Sequence, residues 1–516
     1  MKLRTIVKIA ITSSVVLLCS GFALYSFFRL SAAEGQKDFN LYELVPSTTS
    51  AVFVTDDVLE FVAEVDELTC SKNQQYLYVS KLFSYLKQSL YALSEDTPHG
   101  LSRQMNQMLI SFHEPDNERN QVLYCRLGNG DKELVNRFVR KYISSLYPPK
   151  TFIYKGEEII IYPMADGDFL ACYLTSDFMA LSFQKKLIEN VIDAYKSGKS
   201  LADDSTFTGI RAPKKSAAAA TIYTRMQGMM GWTEFDMKMK DDFIYFSGIT
   251  HDADTCFAFI NQLRQQQSVK GFPGEVLPST AFYFSRQGIT DWVSLLSYGN
   301  AQGQSVPART SEVQNRDKEF SRYLMENAGQ DLVACLFQRE DTLQGAAAVL
   351  SLSVADVTEA ERMLRALVNA APADEGRRNP RITFCYTVNK AYPIYRLPQT
   401  TLFEQLTSFA EPTLDVYAAF YVGRLLLAPD ADALAHYIRQ LDKGEVLNGA
   451  MAYQTGMDHL SDSYHFMQMA DFDHIFQQSE NHVRFVPDFF LRNADFFRHF
   501  TLFVQFACTD GVVYPN

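Results

Sequence analysis

Eight side chains able to hold or polarise a small ligand crowd one stretch near the C-terminus: Asp458, His459, Asp462, His465, Asp471, Asp473, His474 and His482. Four of the nine histidines fall in it, beside four carboxylates. Imidazole nitrogen with carboxylate oxygen suits zinc or a similar cation. The spacing matches no ligand motif. Asp458-His459 and Asp473-His474 are adjacent pairs, and adjacent residues point in different directions on any regular element. Asp458, His459, Asp462, His465, Asp473 and His474 are therefore the metal candidates, with a solvated loop as the plainer reading. No residue is assigned a catalytic role, and no cofactor is expected.

Other chemical signatures fail on inspection. His113-Glu114 opens like a zinc-protease motif but lacks the second histidine. Gly198-Lys199-Ser200 copies the end of a phosphate-binding loop, yet Asp193 stands where the first glycine belongs. Asp166-Gly167-Asp168 has the start of a calcium loop without its later glutamate, and reads as a turn. The 39 Phe and 27 Tyr, against 2 Trp, fall largely at alternating strand positions, where packing on helices explains them.

Composition narrows the field further. At 516 residues and 47% hydrophobic, the chain is folded and too long for one core. Its net charge of −12 repels phosphate backbones, and there is no stripe of Lys and Arg with interleaved aromatics, so nucleic acid is not an expected partner. There are eight cysteines but no CxxC pair. Cys125, Cys172, Cys335, Cys385 and Cys508 sit in apolar, strand-like runs, where a thiol acts as a small buried hydrophobe. Neither a disulfide framework nor a structural zinc is expected.

The elements that must position these residues begin with a membrane helix. Lys2, Arg4 and Lys8 precede an uncharged apolar run, Ile9–Phe28. At 1.5 Å per residue it spans about 30 Å, a bilayer core, and the basic flank places the N-terminus in the cytoplasm. A signal cleaved near Ser31-Ala32-Ala33 and a lipid-modified Cys19 are the alternatives, and each exports the remainder. The expected location is a single pass through the inner membrane, with the bulk of the chain periplasmic or otherwise extracytoplasmic.

Beyond a polar stalk at 31–39, the chain is self-similar. Leu44-Val45-Pro46-Ser47-Thr48-Thr49 recurs as Val276-Leu277-Pro278-Ser279-Thr280 before an alternating run. Strands at Met108–His113 and Asn120–Leu127, then a helical pattern, recur at Asp331–Gln338, Gly345–Ser353 and beyond. Tyr173–Phe207 aligns with Ala419–Tyr453 without a gap, pairing Gly198 with Gly444 as helix stops. Aromatic strands at Phe243–Ile249 and Phe500–Ala507 complete the comparison. These collinear matches predict an α+β chain: a membrane anchor at 1–30, then two related halves at 40–268 and 269–516. Each half is expected to be an antiparallel sheet with helices packed on one face.

An N-terminal anchor, the opener Val45-Pro46-Ser47-Thr48-Thr49 and a duplicated α+β body together resemble a family of uncharacterised bacterial membrane-anchored envelope proteins grouped as a domain of unknown function. The resemblance implies an envelope location and carries over no catalytic or binding residue. Three functions stay open: a non-enzymatic envelope binding or scaffolding protein with a protein partner, a metal-dependent envelope hydrolase using the 458–482 region, and a hydrophobic ligand carrier.

Overall fold

A computed structural model describes residues 39–68, 106–114, 119–128, 131–138, 147–164, 167–211, 218–225, 232–240, 243–250, 258–296, 310–339, 346–370, 381–388, 390–407, 415–477 and 497–516. The Ile9–Phe28 run, residues 31–38 of the stalk and His482 lie outside them. Among the described residues no helix is long and apolar enough to cross a membrane.

Ten strands form the first sheet: β1 Ala51–Thr55, β2 Met108–Phe112, β3 Gln121–Arg126, β4 Lys150–Tyr154, β5 Glu157–Pro163, β6 Phe169–Leu174, β7 Phe178–Ser182, β8 Ala220–Thr224, β9 Thr233–Lys240 and β10 Phe243–Thr250. Every pairing is antiparallel, and the order across the sheet is β4-β5-β6-β7-β3-β2-β1-β8-β9-β10. After the short β11 Val269–Lys270 come β12 Ala281–Gly288, β13 Ala328–Gln338, β14 Ala346–Val354, β15 Ile382–Tyr386, β16 Ala391–Arg396, β17 Tyr417–Tyr421 and β18 Arg424–Ala428. The short β19 Ser463–Tyr464, which pairs with β11, precedes β20 Phe466–Asp471, β21 Thr501–Thr509 and β22 Val512–Pro515. The second sheet is also antiparallel, in the order β15-β16-β17-β18-β14-β13-β12-β20-β21-β22. Strand for strand, the two orders are the same. The last strands of the two sheets, β10 and β22, meet antiparallel at Thr250 and Val513.

Helices cover both faces of each sheet, which corrects the one-face expectation. Along β13, Leu332, Ala334 and Leu336 enter one core, and Val333, Cys335 and Phe337 the other. The helices Ser311–Asn327 and Val357–Ala370 supply the first of these cores, and Ala431–Asp442 and Met451–Met457 the second. The first sheet is divided in the same way. The helix Val58–Glu67 packs on Phe53, Ile110 and Leu123, and Lys185–Ser197 packs on Val52, Leu109 and Tyr124. The reason lies in the central strands, whose apolar runs leave no polar face to meet water.

The gapless alignment survives in detail. β7 and β18, the helices Lys185–Ser197 and Ala431–Asp442, and the 3-10 turns Leu201–Asp203 and Leu447–Gly449 begin at one constant spacing. Gly198 and Gly444 adopt φ of 62° and 78°, the left-handed conformation that a residue with a Cβ resists. One sequence match falls a strand out. Phe500–Ala507 lies in β21, whose counterpart in sheet order is β9, whereas Phe243–Ile249 lies in β10. Both segments alternate aromatics, and periodicity cannot tell neighbouring strands apart.

Candidate functional site

The C-terminal histidines and carboxylates go to separate structural tasks. Asp458 ends the helix Met451–Met457. His459 lies against Phe243 and Tyr245 of β10, its ring 5.2 Å from each. Asp462 accepts the amide of Gly271. His465 accepts the Cys508 amide on Nδ1 at 3.1 Å, so that lone pair is occupied, and burial holds its pKa below the usual range. Asp471 caps the short helix Phe472–Ile475 through the Asp473 amide and lies 3.0 Å from His474 Nδ1, while the His474 ring stacks over Phe282. The structure thus brings Asp471, Asp473 and His474 into one cap. Among the described residues, no three His, Cys, Asp or Glu side chains converge on a point where a metal would sit.

Three polar clusters escaped sequence reasoning, because each joins residues distant in sequence or hidden by alternation. In the first sheet Ser111 Oγ lies 2.8 Å from His113 Nε2 and 3.1 Å from Tyr124 Oη. The serine–imidazole contact has the form of a nucleophile and its base. Yet Ser111 and Tyr124 are fully buried and His113 nearly so, which closes the dyad to any substrate. Burial lowers the His113 pKa to about 4 and raises the Tyr124 phenol, so both stay neutral.

In the second sheet Asp331 of β13 is gripped by two arginines. Arg286 Nε stands 3.1 Å away and Arg424 Nη1 3.4 Å, with every side chain at most 15% exposed. Arg424 also donates to Ser351 Oγ at 2.5 Å, and Arg286 to the Gly271 carbonyl at 2.7 Å. Burial opposes ionisation of Asp331, but Arg424, the Ser353 hydroxyl and Arg286 outweigh it and lower its pKa. In the third cluster Asp204 caps the helix Ser205–Ile210 and pairs with Arg225 at 2.8 Å, while the guanidinium lies over Trp232 at 4.6 Å. The first two clusters tie strands to one another, and the third ties the helix Ser205–Ile210 to the first sheet.

The exposed chemistry lies elsewhere, on the outermost strand of each sheet. Six of the sixteen large hydrophobics exposed among the described residues sit on β4 or on β15 and its turn: Phe152, Ile153, Ile382, Phe384, Tyr386 and Val388. Ile153 and Phe384 are 71% and 54% exposed. Measured from the matching pairs Ile159–Tyr173 and Ile394–Ala419, they hold the same register position in their sheets. Alternation in Ile382-Thr383-Phe384-Cys385-Tyr386 was legible as a strand, but nothing local marks a strand as an edge.

Neither a family model, nor a curated protein, nor a solved structure matches the chain.

Proposed function

We propose that this chain is a non-enzymatic envelope binding or scaffolding protein, that residues 9–28 anchor it in the inner membrane, and that its two sheets arose by internal duplication. The observation that carries the reading is the common strand order: among the described residues the chain twice builds one ten-stranded sheet with an outer strand that exposes apolar side chains. Unpaired strand edges are the usual templates on which partner chains add. The shared antiparallel bridges, Pro46 to Ser200 and Pro278 to Val446, support a common origin for the two halves at the level of single residues. The basic flank and apolar run at the N-terminus support the anchor and a location of the sheets outside the cytoplasm.

The test is crosslinking of the full chain in intact membranes followed by purification. The expected result is a membrane-bound chain that brings down the same protein partner in repeated preparations. A chain found free in the cytosol, or one that brings down no reproducible partner, overturns the reading.

A further inference from the structure

On the reading that residues 9–28 anchor the chain, we infer that one end of the first sheet rests on the phospholipid headgroups of the membrane. That end is formed by the β4–β5 turn at Lys155-Gly156, the β6–β7 turn at 175–177 and the last turn of the helix Lys185–Ser197. The place where the chain enters the fold carries the inference. Phe39, the first residue the structure describes, lies against the rings of Phe178 and Tyr195 at 4.8 and 5.9 Å, and its carbonyl accepts Arg126 Nε at 2.6 Å. Phe178 opens β7, Arg126 closes β3 opposite it, and Tyr195 lies in the last turn of the helix. Lys196 ties the β4–β5 turn to the same end, donating to the Lys155 carbonyl at 2.6 Å and pairing with Glu157 at 2.8 Å. Just past the clamp, Leu41, Leu44 and Val45 are buried with Ile188 and Ile192 of the helix, so freeing the entry would strip apolar surface from the core.

Tether length selects the occupant. Only residues 29–38 separate Phe28, at the end of the apolar run, from Phe39. A chain of that length reaches about 40 Å at full extension and about 18 Å as a flexible coil. Crossing the headgroup layer takes about 5–7 Å of that reach. Phe39 is thereby kept beside the lipid, whereas β10 lies seven strand steps from β6, about 34 Å, with the second sheet beyond it. Around the entry Lys155, Tyr195, Lys196 and Lys199 are exposed, and tyrosine rings and lysine heads settle readily at a headgroup layer. Lys155 and Lys196 already pair with Asp193 and Glu157, so it is the tether, not charge, that sets this contact.

The test reconstitutes the full chain in phosphatidylcholine vesicles containing phosphatidylcholine with a nitroxide on its headgroup, which quenches tryptophan only at close range. Asp177→Trp and Lys199→Trp report from the entry end, Phe169→Trp from the far end of β6, and Val388→Trp from the second sheet. All four positions are exposed, and an unchanged urea midpoint shows that each variant is folded. The unsubstituted chain, whose Trp232 and Trp292 are buried, gives the baseline. The expected result is emission from Asp177→Trp and Lys199→Trp that falls below the baseline trend as nitroxide lipid is added, with the added emission of Phe169→Trp and Val388→Trp unchanged. Equal quenching at Asp177 and Phe169, quenching at Val388 alone, or none at Asp177 in a chain that floats with the vesicles overturns this orientation and leaves the anchor standing. A chain that does not float with the vesicles overturns the anchor and this inference with it.

Discussion

Leu447 donates its backbone N–H to the carbonyl of Leu277 at 2.9 Å, as Leu201 does to Val45 at 2.7 Å. Each acceptor precedes a proline, which holds it extended. Each donor opens a 3-10 turn just past the glycine that ends the preceding helix. One local pattern is thereby stitched twice to a segment far off in the chain, and the glycine is what lets the chain turn back.

Gly198→Ala and Gly444→Ala should each cost about 1 kcal/mol, because φ is positive at both and an added Cβ would meet nothing within 4 Å. Gly288→Ala should cost more, about 3 kcal/mol, since its Cβ would fall 2.0 Å from the Gln267 carbonyl. Urea denaturation of the three variants measures the difference, and equal losses would show that the glycines are not used this way.

Acid should loosen the first sheet through His113. Its folded pKa of about 4 lies below the unfolded value of about 6.5, so the unfolded chain takes up the proton first. This contribution is complete above pH 6.5 and is lost as pH falls from there toward 4, by up to about 3 kcal/mol. His113→Gln should flatten that part of the stability profile. The remaining slope should include His465, whose pKa is also held low by burial.

Asp331→Ala should be among the most damaging single changes in the second sheet, at about 3–5 kcal/mol. It leaves Arg286 and Arg424, both at most 15% exposed, with no carboxylate between them. Chemical denaturation reads the loss. A cost near 1 kcal/mol would mean that water already screens the cluster.

Thiol labelling should separate the cysteines. Cys125, Cys172, Cys335 and Cys385 are buried, and burial raises the Cys125 and Cys172 thiols to about 12, whereas Cys508 is only partly covered. In native conditions Cys508 should react on the order of 100-fold faster than the four buried thiols. Site-resolved mass spectrometry checks the order, and urea should erase it.

Local order was readable without coordinates. The hairpin strands at Met108 and Gln121 lie within the ranges their alternation predicts. The Tyr173–Phe207 and Ala419–Tyr453 alignment held because strand, helix and glycine stop are each written in a few adjacent residues.

Tertiary structure alone decided what those elements do. Continuous apolar runs in β13 and β14 meant helices on both faces, but a run of hydrophobics does not say what covers it. The histidines near the C-terminus looked like ligands by composition, yet His459, His465 and His474 are committed to different neighbours: an aromatic pair on β10, the Cys508 amide, and Asp471 with Phe282. Periodicity reports on residues a few places apart. Strand order, sheet edges and the partners of a side chain depend on contacts between segments hundreds of residues apart, and only the folded chain sets those.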